Sequence, residues 1–110
     1  MRVRIKSNEI GIKRDTECDV LSVWVFCTEA QPWYLFVDDG TVCVSVSISD
    51  VEVINGSLDR FRLVRSDNLK SEYFLLVDFL QDNMGVYNGL LDCDANSYRE
   101  LQQLKSIARS

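Results

Sequence analysis

Hydrophobic positions recur at the strand spacing of two through the first two thirds of the chain, and at helical spacing in the last third. Val3 and Ile5 alternate with Arg2, Arg4 and Lys6, a short half-exposed strand. The run Cys18 to Cys27 (CDVLSVWVFC) is too continuously apolar for one wet face, which predicts a central strand covered on both sides. Pro32 interrupts, and Trp33 to Val37 forms the next strand. Asp39-Gly40 then suits the positive-φ positions of a type I′ hairpin turn. Beyond it, Val42, Val44, Val46 and Ile48 are expected in the core, with Thr41, Cys43, Ser45, Ser47 and Ser49 on the opposite face. A phase change at Ser49-Asp50 turns Val51 and Val53 inward and suggests a bend or bulge. Asn55-Gly56 marks a turn, and Phe61 to Arg65 adds one more extended piece.

In the last third Tyr98, Leu101, Leu104 and Ile107 or Ala108 fall on one helical face. Ser97 to Glu100 has the form of a capping box, with Asp92 and Asp94 just upstream where the helix dipole favours anions. Lys105 and Arg109 lie in the last turn, where it favours cations. Asp78 to Leu91 predicts one or two short helical turns interrupted at Gly85 and Gly89. Together these elements predict a single domain over residues 1–110, β-rich over 1–65 and mostly helical over 66–110. The expected class is mainly β (α+β): a twisted antiparallel sheet of about five or six strands closing toward a barrel, with a C-terminal helix over one opening or edge.

With 46% apolar and 26% charged residues, the 110-residue chain is expected to fold. No apolar run approaches the ~20 residues of a membrane span. The basic start Met1 to Lys6 is not followed by an apolar signal segment, so a cytoplasmic protein away from membranes is expected. Histidine is absent, so no Ser-His-Asp or Cys-His nucleophile can be assembled. Cys18, Cys27, Cys43 and Cys93 lack the close spacing of a zinc site or a disulfide scaffold, and read as thiols in a reducing compartment. The five glycines stand alone, without a phosphate-binding loop. These absences predict neither cofactor, nor metal, nor enzymatic activity.

The order of the charges says more. Residues 1–14 carry +4, residues 15–59 carry nine acids and no cation, residues 60–77 carry +2 and residues 78–110 carry −2. Forty-five consecutive residues without Lys or Arg cover most of the sheet. Either the basic N-terminal strand and the stretch Arg60 to Lys70 neutralise this surface locally, or it faces a basic partner. A net charge of −5 argues against direct nucleic-acid binding. For a protein partner with a basic cleft, the first candidates are Asp38 and Asp39, on an expected projecting hairpin tip. Asp50 and Glu52 follow as alternates of inward Val51 and Val53, then Glu17 and Asp19, with Trp33 as an apolar anchor. The other aromatics, Trp24, Tyr34 and Phe36, are expected in the core.

Five segments, in order, resemble a group of short bacterial immunity proteins, including those of contact-dependent growth inhibition systems. The matching pieces are Met1 to Ile5, Lys13 to Leu21 (KRDTECDVL), Tyr34 to Gly40 (YLFVDDG), Val51 to Asn55 (VEVIN) and Asp92 to Ala95 (DCDA). The resemblance implies an SH3-like β-barrel with a helical tail, and an intracellular, non-catalytic protein that blocks a toxin domain. Many such toxins are nucleases with basic clefts, which an acidic face would fill in place of phosphates. The free protein is expected to be monomeric. Two other readings stand beside it: an SH3-like adaptor for a basic or Pro-rich peptide using Trp33 and Tyr34, and a DNA-mimic nuclease inhibitor.

Overall fold

The apolar run that starts at Cys18 becomes the strand on which the rest of the sheet is hung. In the computed structural model, residues 1–7, 12–25, 33–65 and 73–109 are described, without the side chains of Val25, Trp33, Arg65, Tyr73 and Arg109. The chain runs β1 (Arg2–Ile5), β2 (Glu17–Val25), β3 (Trp33–Asp38), β4 (Cys43–Ser47), a 3-10 turn (Ile48–Asp50) and β5 (Val51–Asn55). Then come β6 (Phe61–Arg65), β7 (Tyr73–Val77), α1 (Asp78–Gln81), α2 (Met84–Leu91) and α3 (Ala95–Arg109). Every ladder is antiparallel, and one path through the sheet is β4-β3-β2-β1-β5.

β2 is central because it is long and apolar on both faces: Cys18, Val20, Leu21, Ser22 and Val23 are all buried. Its ladder to β3 passes from Val20–Val37 to Ser22–Phe36, leaving Leu21 as the extra residue of a bulge. A bulge bends its strand and increases the local twist. On the other side, β2 pairs with β1 over Glu17–Asp19 and with β7 over Ser22–Trp24, so the sheet forks at the bulge. β6 extends the β7 branch. Among the described residues no ladder joins β4, β5 and β6 to one another, so the seven-stranded sheet stays open where closure toward a barrel was expected.

Several local expectations change with the structure. The β3–β4 connection is a four-residue loop, Asp39 to Val42, in which only Gly40 has positive φ, rather than a two-residue type I′ turn. The loop takes Val42 out of the strand, leaving it 41% exposed; Val46 is buried, while Val44 and Ile48 are half-buried. Cys43 and Ser47, on the opposite face, are buried as well. Val51 is buried as expected, but Val53 is 44% exposed on β5, which ends the strand path. β7 also falls in the span expected to be mostly helical; the apolar run Tyr73 to Val77 is a strand because it pairs with both β2 and β6.

The helices close one side of the core. α2 runs through Gly85 and Gly89, and the break falls at Asp82-Asn83 instead. Gly89 is needed for packing: a Cβ there would sit 2.7 Å from the Ser97 Cβ of α3. α3 is capped by Asp94, whose carboxylate accepts from the backbone N–H groups of Asn96 and Ser97 at 3.3 Å and from the Ser97 hydroxyl at 2.9 Å. Ser97 therefore sits inside the first turn rather than at the cap of a box. Leu101 is buried, Tyr98 and Leu104 pack partly buried on the core, and Ile107 faces outward. No helix among the described residues is long and apolar enough to cross a membrane.

Candidate functional site

The residues singled out by charge do not form one face. Asp38, expected at a projecting tip, is the last residue of β3 and its side chain is 0% exposed. It accepts hydrogen bonds from Lys105 Nζ at 2.8 Å, Tyr98 Oη at 2.7 Å, Gln102 Nε2 at 3.3 Å and the Gly40 backbone N–H at 2.9 Å. Burial alone would raise its carboxyl pKa, but the Lys105, Gly40 and Tyr98 bonds to the charged form outweigh it and hold the value below the usual range. Lys105 responds in the opposite sense. Burial opposes its charge, yet its bonds to Asp19 at 2.6 Å and to Asp38 raise its pKa. Asp38 is thus a structural anchor for α3, unavailable to a partner.

Asp39 holds the loop. Its Oδ1 accepts from Thr41 N–H, the Thr41 hydroxyl and Val42 N–H at 2.7–2.9 Å. Asp19 is tied to Arg2 at 2.8 Å and to Lys105, and Glu17 lies 3.8 Å from Arg2. Glu52 points outward, 57% exposed, but is bridged across the ladder to Arg4 at 3.3 Å. Asp50 is half-buried in the 3-10 turn, and its carbonyl accepts from Lys6 N–H at 2.9 Å. The basic N-terminal strand thus pairs with three of the nine acids, Glu17, Asp19 and Glu52, whereas Arg60, expected to join it against the sheet, bridges to Asp78 of α1. Trp33 lies on β3, but its side chain is outside the described residues, as is Cys27.

Trp24, Phe36 and Phe74 form an inward cluster with Tyr87, whereas Tyr34, expected in the core, is 38% exposed on β3. Trp24 stacks on Phe74 with centroids 4.1 Å apart, and Tyr87 of α2 meets Phe74 and Phe36. The buried Tyr87 hydroxyl shares a hydrogen bond with Ser22 Oγ at 2.8 Å and accepts from Trp24 Nε1 at 3.1 Å. Desolvation raises the Tyr87 pKa, so this phenol stays neutral.

Two surface clefts are lined by described residues. One, of about 300 Å³, lies at the fork of the sheet between Leu21, Phe61 and the end of α3, with Arg60 and Lys105 on its wall. Both cations are engaged, Arg60 with Asp78 at 3.1 Å and Lys105 with Asp19 and Asp38. The other, of about 370 Å³, opens between the β3–β4 loop and the α2–α3 corner, walled by Val42, Leu90, Asp94, Tyr98 and Arg99. Cys43 and Cys93 also reach it. Burial raises the Cys43 thiol to about 12, and Cys18, also buried, to about 11, so neither is a thiolate nucleophile near neutral pH. Tyr98 is pushed up by burial and by its bond to Asp38. Among the described residues no three Cys, Asp or Glu side chains gather as metal ligands would.

The α3 contacts are what sequence reasoning missed. Tyr98, Gln102 and Lys105 lie at helical spacing on one stripe beside the apolar face, and that stripe was the available signal. Compared with known proteins, the chain matches no family model, no curated protein and no solved structure.

Proposed function

We propose that this chain is a binding protein without catalytic activity: an immunity protein that neutralises a bacterial toxin domain, of nuclease type, by covering its basic cleft. The observation that carries this reading is the segregation of charge. Residues 15–59 contain nine acids and no cation, and pairing with β1 and α3 neutralises only part of that excess. Asp39, Asp50 and Asp59 form no salt bridge among the described residues, and neither do Asp92 and Asp94 of the α2–α3 corner. A surface left acidic after internal pairing attracts a cationic partner and speeds its association.

The resemblance to immunity proteins supports the same assignment. The return of β5 to β1 after the 3-10 turn reads as an open variant of the SH3-like arrangement that this resemblance implies. A cytoplasmic location follows from the role, since the toxin acts inside the cell. The test is to look for an adjacent reading frame whose product ends in a small basic domain, and to co-express that domain with this chain. Rescue of growth together with stoichiometric co-purification supports the role. Continued toxicity with this chain abundant and folded overturns it.

A further inference from the structure

We propose that the free edge of β5 is a self-association surface, on which a second copy of this chain adds its own β5 antiparallel about a two-fold axis. This goes beyond the toxin-binding reading and does not depend on it. β5 ends the strand path and, among the described residues, forms a ladder with β1 alone. Glu52, Val53, Ile54 and Asn55 are all exposed. Val53 and Ile54, at 44% and 42%, are the one adjacent pair of exposed large hydrophobic residues among those described.

The β1 ladder shows which backbone groups this edge offers. Ile5 N–H donates to the Thr16 carbonyl and the Ile5 carbonyl accepts from Asp15 N–H, whereas Lys6 N–H donates to the Asp50 carbonyl. Alternate residues of an antiparallel strand turn their N–H and C=O to opposite sides. Arg4, like Lys6, therefore turns toward β5, and its ladder partner Glu52 turns back toward β1. The N–H and C=O of Val51 and Val53 are left on the free side.

Edge strands are ordinarily guarded against pairing by Lys, Pro, charge or a bulge. β6 carries Arg62 and Arg65, and β4 is covered at Cys43 and Ser47. β5 contains neither Lys, Arg nor Pro, and its bulge at Ile54 lies toward its far end. Its one charge, Glu52, is met by Arg4 at 3.3 Å. A two-fold axis through Val53 sets this residue against Val53 of the second copy, where the two exchange a pair of backbone hydrogen bonds. Glu52 then faces Ile54 of the second copy, so the carboxylates do not oppose each other and the isoleucine lies on the glutamate methylenes. Such an isologous contact uses one self-complementary patch twice. An edge of five residues falls short of the roughly 1,200 Å² that stable interfaces bury, so the dimer is weak and the dilute chain is the monomer expected from the sequence. Two chains of net charge −5 also repel, and salt relieves that repulsion.

The experiment is sedimentation velocity on the purified chain from about 5 to about 500 μM, the range of weak affinities, at low and high salt. Amide exchange at Val53, read by NMR, accompanies it. The variants are Val53→Lys and, as a control on β6, Leu63→Lys, both at exposed positions. The inference predicts a mass that rises toward twice the monomer's with concentration, further at high salt, and a Val53 amide that exchanges more slowly as the dimer forms. Val53→Lys weakens self-association about tenfold or more, and Leu63→Lys changes it less than about threefold. Circular dichroism checks that both variants fold, and the Val53 amide of the unmodified chain decides without them. A chain that stays monomeric across the range overturns the inference. So does a dimer in which the Val53 amide exchanges as in the monomer, or one that Val53→Lys leaves intact.

Discussion

Asp38 shows how a single residue can reverse its reading between sequence and structure. In the string Val37-Asp38-Asp39-Gly40 both acids look like turn residues, yet one closes a strand under α3 and the other builds the loop. Asp38 is fixed by Lys105, 67 positions away, and no local rule distinguishes it from Asp39. Removing one partner of such a buried pair is expected to cost about 3–5 kcal/mol, because the other charge stays buried and uncompensated. The pH dependence has two limbs. Asp38 has a folded pKa below its ordinary 3.8, so its contribution is present above that value and lost as pH falls through the lower folded one. Lys105 has a folded pKa above its ordinary 10.5, so its contribution is present below that value and lost as pH rises through the higher folded one. Urea midpoints measured against pH should therefore form a plateau that falls at both ends, and Lys105→Met should lower the plateau and flatten both limbs. A plateau unchanged in that variant would show that the network does not hold α3. Tyr87→Phe removes the hydroxyl that bonds the buried Ser22 Oγ and the half-buried Trp24 Nε1, and about 1–3 kcal/mol should be lost in the same assay.

Among elements, β2, β3 and α3 were legible because their patterns are long and internally consistent. β2 is buried on both faces as its continuous apolar run requires, and α3 buries Leu101 as its period requires. β7 was not legible as a strand, since five apolar residues fit a buried helix turn equally well and only pairing with β2 and β6 decides. The inward face of β4 was misjudged through its turn: a loop of four residues rather than two moved Val42 into solvent. The two glycines of α2 were read as breaks, but Gly89 exists for contact with α3. Gly→Ala inside an exposed helix ordinarily gains about 1 kcal/mol. Here the added methyl meets the Ser97 side chain, so Gly89→Ala should instead destabilise by about 1–3 kcal/mol, seen as a lower Tm in calorimetry. A Tm raised by that substitution would mean that α2 and α3 do not approach as closely as the structure places them.

At the scale of the molecule, charge was the informative variable and its placement the illegible one. The sequence order separates a cationic first strand from an acidic stretch, but only the β1–β2 and β1–β5 ladders reveal that this strand lies between the acids it neutralises. What remains is a chain of net charge −5 on which Asp39, Asp50, Asp59, Asp92 and Asp94, among the described residues, form no salt bridge. The most direct measurement of the central claim is the affinity of the purified chain for a small basic domain encoded by an adjacent reading frame, titrated across salt concentration. The account predicts a one-to-one complex whose association slows and whose affinity falls as salt rises, because exposed charges further apart than about 8–10 Å are screened at physiological ionic strength. Absence of binding at low salt, or an affinity indifferent to salt, would contradict it.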